Sequence, residues 1–267
     1  CALPIFLLYI VGSALICSAC TSKTESVDEI ENKVESKLLE HEQNILDLYR
    51  NQGCEVAYKE LKSWLLSDTL TMDYPFDLLR DSIKLGKVVS PDNNLCIYYW
   101  DTMLGGSMFL WGNVTQYRTA NGVMAKPYSP ELLAQQAELM EKNEIDFGSF
   151  VKELYQVRDN SGKVIYLLSC YASASAVYGT NILSAYTVVE DSLQAVPNLF
   201  IKADSNMVSN LTSDCFGAYI TYDKNTRRLY LPLEWASDNS SCVWSECFRF
   251  NGRKFVFTEK IKYDKDL

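Results

Sequence analysis

Apolar residues recur along this chain at two spacings, and the change from one to the other divides it. Val27, Ile30, Val34, Leu38, Ile45 and Leu48 fall three, four or seven residues apart in a charged background. That is the pattern of an amphipathic helix reaching about Tyr49, closed by Asn51-Gln52-Gly53. A second helix is predicted from Cys54 to Leu66, burying Val56, Leu61, Trp64 and Leu65 with the first helix as its companion. After Pro75 the pattern turns strand-like and stays so, with one interruption. Ser129-Pro130-Glu131 is a helix start, Ser129 as N-cap and Pro at the first position, and it opens an insertion over about 129–143.

The strand-like region reads as three meanders of about fifty residues, each the size of a propeller blade. The first, 87–127, is built on Leu95 to Tyr117, two aromatic-rich runs on either side of Gly105-Gly106. A four-residue loop at Met103 to Gly106 would set Trp100 against Phe109, Tyr98 against Trp111 and Cys96 against Asn113. Both faces are then apolar, so the hairpin belongs to a covered sheet or keeps one face for a ligand. The second meander, 149–203, takes strands at Val151 to Val157, Lys163 to Tyr171, Asn181 to Val189 and Leu193 to Ile201. In the third, 214–263, a loop at Asp223 to Thr226 pairs Ile220 with Leu229, Ala218 with Leu231 and Phe216 with Leu233. At Asn251-Gly252 a two-residue turn would oppose Arg249 and Lys254. A four-residue loop pairs Phe250 with Phe255 and Phe248 with Phe257 instead, and is preferred. Propellers close with at least four blades, so the expected class is mainly β (α+β). The expected body is a propeller-like or sandwich-like set of antiparallel four-stranded meanders over 87–267, with an N-terminal helical pair within 27–86. Pro232 points to an edge strand or bulge.

Residues 1–19 carry no charge and form a run long enough for the apolar part of an export signal. The run ends at Cys17-Ser-Ala-Cys20, where small residues precede a cysteine as in a bacterial lipoprotein box. Cys20 is the candidate lipidation site, and Thr21 to Ser26 a short polar tether. Cys17 stands where such boxes usually carry an aliphatic residue, so a plain signal peptide and an uncleaved anchor are the alternatives. Acyl chains such as palmitate on Cys20 would hold the domain at a membrane without a spanning helix. Of three N-x-S/T sequons, at Asn113, Asn210 and Asn239, the first falls inside a predicted strand, which favours a bacterial export route.

Composition narrows the chemistry further. Thirty-four acidic against twenty-five basic residues give a net charge of −9, which argues against nucleic acid as a partner. His41 is the only histidine, placed on the first helix among Glu and Gln at a solvated or edge position, so no His-based triad or His-rich metal site is available. No cofactor or metal is indicated. Of nine cysteines, setting aside Cys1, Cys17 and Cys20 leaves six: Cys54, Cys96, Cys170, Cys215, Cys242 and Cys247. Cys96 and Cys170 sit in apolar strand patterns, so zero or one bridge is expected rather than three.

The string from Ser90-Pro91-Asp92 through Leu95-Cys96-Ile97-Tyr98-Tyr99-Trp100-Asp101-Thr102, Gly105-Gly106-Ser107-Met108 and Gln116-Tyr117 resembles a pattern in uncharacterised secreted lipoproteins of gut-dwelling Gram-negative bacteria. The ending Phe250-Asn251-Gly252-Arg253-Lys254-Phe255 is similar to their last hairpin. The resemblance implies a location in the cell envelope, on the outer membrane or periplasmic side, and an architecture. It implies no activity. The leading expectation is a lipid-anchored extracytoplasmic binding or interaction module. Its candidate ligand is a glycan, held by Tyr98, Trp100, Asp101, Trp111 and Gln116, since sugars bind on aromatic faces beside carboxylates and amides. The alternatives are that these aromatics are core, that Asp101 and Glu234 form a glycosidase-like carboxylate pair, or that the helices dock an envelope protein in a structural role.

Overall fold

The computed structural model describes residues 27–103, 109–128, 148–173, 179–215, 218–235 and 242–263. Cys20 with its leader and tether, the Gly105-Gly106 pair, the expected helix near 129–143 and Phe216 lie outside the described residues.

The chain divides after Leu39. Helix α1, Val27–Gln52, begins in the first part and runs into the second, with Asp28 and Glu29 in its first turn and Arg50 in its last, each sign matched to the helix dipole. In the second part, α2, Cys54–Ser67, buries Ala57, Tyr58, Leu61, Trp64 and Leu65. Its buried stripe starts one residue later than expected, so Val56 falls outside it and is exposed. His41 is an edge residue, stacked on Trp64 at 4.3 Å and in contact with Glu60 at 3.2 Å.

The helical part continues beyond Pro75, although the spacing turns strand-like there. A 3-10 turn spans Thr69–Met72, and helix α3 spans Asp77–Ile83. The first turn of α3 has no local side-chain cap; the buried Glu42 carboxylate of α1 accepts from Leu79 N at 2.8 Å and from Tyr74 Oη at 2.7 Å. An acceptor from a distant helix thus satisfies an orphan first-turn N–H.

Three sheets follow. The first takes β1, Gly86–Val89, β2, Leu95–Asp101, β3, Trp111–Thr119, and β4, Gly122–Pro127, side by side in that order. The second is built on β5, Phe150–Arg158, β6, Val164–Ser173, and β7, Gly179–Val189. Along the outer edge of β7, Tyr186 to Val189 pair with β8, Ser192–Ala195, and Asn181 to Leu183 pair with a later strand at Leu211–Ser213. The third holds β9, Phe200–Ile201, and β10, Met207–Val208, together with four strands that follow the Leu211–Ser213 strand, here β11. Those four are β12, Thr221–Asp223, β13, Arg228–Trp235, β14, Cys242–Phe250, and β15, Phe255–Lys262. Its order is β10-β9-β15-β14-β13-β12, antiparallel except where β15 meets β9.

The second sheet is the middle layer, and the alternation of β6 shows it. Ile165 and Leu167 join a core with Leu229, Leu231, Phe248 and Phe255 of the third sheet, while Tyr166, Leu168 and Cys170 join one with Leu95, Ile97 and Tyr117 of the first. A strand buried on both faces reads as a continuous apolar run, as Val164 to Leu168 does. The chain is mainly β, with antiparallel meanders stacked face to face and helices at its N-terminal side. Among the described residues, no helix is long and apolar enough to cross a membrane.

The last hairpin has the register expected, Phe250 opposite Phe255 and Phe248 opposite Phe257. Elsewhere the pairing differs. In the third meander Tyr222, rather than Ile220, faces Leu229; the two-residue slip preserves the faces, and Ile220 stays in the core. In the second meander the expected strand from Leu193 to Ile201 is split. Pro197 lacks an N–H and Asn198 turns to φ 53°, so β8 stops at Ala195 and Phe200–Ile201 crosses to the third sheet. In the central hairpin Trp100 faces Gly112 instead of Phe109, a slip of three residues that moves the β3 side chains to the opposite faces from those expected.

Asp92, in the β1–β2 turn, ties the first sheet to the second by accepting from Gln156 Nε2 and Tyr166 Oη, each at 3.1 Å. Burial pushes its carboxyl upward, but hydrogen bonds from Ser90, Asn94 and Tyr166 outweigh that and hold the pKa below the ordinary value. A carboxyl lowered on folding contributes stability that is complete above its unfolded pKa of about 3.9 and fades as pH falls through the folded value. Urea midpoints measured from about pH 6 to pH 2 should therefore fall more steeply for the native chain than for Asp92→Asn. Parallel curves would remove the assignment.

Candidate functional site

Along β2 successive side chains face opposite ways, and this alternation sorts the expected ligand residues. Tyr98 and Trp100 point toward the helices and are 0% and 1% exposed. Gln116 of β3, 0% exposed, points the same way. Its Nε2 donates to Leu65 O at 2.6 Å and Thr71 Oγ1 at 2.7 Å, closing the end of α2 onto the sheet. Tyr98 Oη donates to Thr71 O at 2.7 Å. Trp100 lies across Gly112, where a Cβ would come within 2.4 Å of the indole. These three residues are core, joining sheet to helix. The expectation that they form one platform with Trp111 is corrected, because the observed register puts Trp111 on the other face.

That other face carries the site. Tyr99 and Asp101 project from it, with Trp111 directly opposite Asp101. Tyr99 needs a glycine beneath it, since a Cβ on Gly86, its partner on β1, would come within 2.0 Å of the ring. Phe150, first residue of β5, completes an aromatic wall. Ring centroids are 5.1 Å apart for Tyr99 and Phe150, 5.4 Å for Trp111 and Phe150 and 6.0 Å for Tyr99 and Trp111, with planes steeply inclined in each pair. Phe109 extends the wall outward, 6.1 Å from Trp111 and inclined by 24°. It is half exposed, as is Met103.

This wall lines a cavity of about 410 Å³, within the range of small-ligand pockets. Tyr49 at the end of α1 and Ser82 to Lys84 at the end of α3 close its other side. The position of β5 is fixed by Asn113, 2% exposed, whose side chain accepts from Ser149 N at 2.6 Å and donates to Ser149 O at 3.0 Å like a missing strand neighbour.

Two charged groups line the cavity. Asp101 is half-buried, and its Oδ1 accepts from Met103 N at 2.9 Å. Lys84 is exposed, and its Nζ donates to Asp81 O at 3.1 Å. Near the cavity, burial raises the pKa of Tyr58 and Tyr99, and the negative charge of Asp101 adds to the rise at Tyr58, so both phenols stay protonated at neutral pH.

Of the expected site residues, Asp101 and Trp111 therefore line the cavity, and Tyr98, Trp100 and Gln116 stand behind the sheet. Tyr49, Tyr99 and Phe150 were not expected. Tyr99 could have been found from its two-residue spacing to Asp101; Tyr49 and Phe150 arrive from distant elements and carry no local signal. The strands bearing Asp101 and Glu234 belong to the first and third sheets, with the second sheet between them. Among the described residues, no three His, Cys, Asp or Glu side chains are grouped to hold a metal ion. No known protein-family model matches the chain, and a search of curated proteins finds no relative.

Proposed function

We propose that this chain is an extracytoplasmic binding module, lipid-anchored through Cys20, whose ligand is a glycan held in the pocket of Tyr99, Trp111 and Phe150. The observation that carries the reading is the wall itself: three aromatic side chains, part-exposed, beside a carboxylate at the mouth of a cavity. Aromatic faces take the apolar faces of a pyranose ring, and an oriented carboxylate accepts from its hydroxyls. Export is supported by the uncharged run that ends at Cys20 and by the Cys215–Cys242 disulfide, since such bonds persist in oxidising compartments. The burial of Asn113 leaves its sequon inaccessible in the folded chain, which fits a route without N-glycosylation.

A glycan panel read by retention and calorimetry tests the proposal. Trp111→Ala should abolish retention while shifting the melting temperature far less than loss of a fully buried Trp, because part of its ring is already in water. Retention unchanged by Trp111→Ala, or no retention of any glycan by the native chain, would refute the site. Radiolabelled palmitate should enter the protein in cells and fail to do so in Cys20→Ser.

A further inference from the structure

The charges around the cavity say more about the ligand than its rings do. Asp101 is oriented by one hydrogen bond, from Met103 N to Oδ1, and its other oxygen receives no donor among the described residues. Lys84 lines the same cavity and keeps its charge, but it is exposed to water, whereas Asp101 is half-buried beside the rings. Lys84 donates to the Asp81 carbonyl, and Arg80 is held by Asp77 at 2.7 Å with Asp81 at 3.8 Å. Tyr99, Trp111 and Phe150 add the electron-rich faces that attract a cation and repel an anion. The chain as a whole carries −9, so an acidic sugar approaches against the field and an amino sugar with it.

We propose that the pocket selects sugars bearing a protonated amino group, with Asp101 as the counter-ion that reads it; this rests on the glycan reading above. The ammonium donates to the Asp101 carboxylate while the ring lies against the aromatic wall. N-acetylation removes the charge and with it the preference. A uronic acid is disfavoured by repulsion from the same carboxylate.

The test compares glucosamine, glucose, N-acetylglucosamine and glucuronate by calorimetry at pH 7 and low salt, on the native protein and on Asp101→Asn. A charge-assisted hydrogen bond predicts that glucosamine binds about tenfold more tightly than glucose, with glucuronate weakest. In Asp101→Asn both sugars should bind more weakly, since the carboxylate also accepts from hydroxyls, but the glucosamine-to-glucose ratio should fall to near unity, and a melting curve shows whether the variant remains folded. If Asp101→Asn unfolds, the salt dependence of the native protein decides instead: the glucosamine advantage should shrink as ionic strength rises. Equal binding of glucose and glucosamine by the native protein overturns this inference and leaves the glycan reading intact. No binding of any of the four, together with an empty glycan panel, overturns both.

Discussion

Trp100→Ala is expected to lose about 3–5 kcal/mol of folding stability, the largest effect of any single side chain in the first sheet. The indole is 1% exposed and lies across Gly112 on one side and 6.3 Å from Tyr58 on the other, so truncation opens a void between sheet and helices. Neither neighbour can fill it. Gly112 has no side chain, and Tyr58 is fixed in the buried stripe of α2. Urea denaturation followed by far-ultraviolet circular dichroism measures the loss. A change below about 1 kcal/mol would mean that Trp100 sits in water and that the register described for β2 and β3 is wrong.

Removing the Cys215–Cys242 bridge, as Cys215→Ala with Cys242→Ala, should cost about 3–4 kcal/mol by the loop-closure relation for its sequence separation of 27. The bridge joins the segment after β11 to the start of β14, across the interval that holds β12 and β13. Its loss therefore frees the chain between the second sheet and the third. Denaturation with and without reductant gives the measurement, and identical midpoints would show that no such bond forms. Thiol labelling of the native chain adds a check. Cys96, Cys170 and Cys247 are buried, and burial pushes the Cys170 thiol up to about 12, so of these and the half-buried Cys54 only Cys54 should react promptly.

Where local residues carried the decision, the fold was legible. Two Phe pairs and a four-residue loop set the last hairpin, and Asn251 Oδ1 accepts from both Arg253 N and Lys254 N at 2.9 Å to close that loop. The helical spacing before Ser67 was equally clear. Distant partners were not. Helix α3 has seven residues, with left-handed Phe76 and Lys84 at its ends and a cap supplied by Glu42, which no local rule anticipates. The central hairpin was read from its glycine pair, but β2 ends where Asp101 takes the N–H of Met103, at φ 59°, and β3 resumes only at Trp111. That slip of three residues separated Trp100 from Trp111 and hid Tyr99 from view. Gln116 misled for a related reason: a buried amide that closes a helix end has the same local surroundings in sequence as one that awaits a ligand.

The parallel pairing of β9 with β15 bears on the order in which this chain can assemble. Phe200 and Ile201 pair locally with Val208 and Met207 on one edge, but the other edge is filled only when Phe255 and Val256 have emerged from the ribosome or an export channel. Until then Phe200, fully buried in the finished protein, is left uncovered beside an already paired middle layer. Arrival of the β14–β15 hairpin is thus the event that covers this edge, and shortening the chain before Phe255 would leave a sticky, half-built product that invites aggregation or proteolysis.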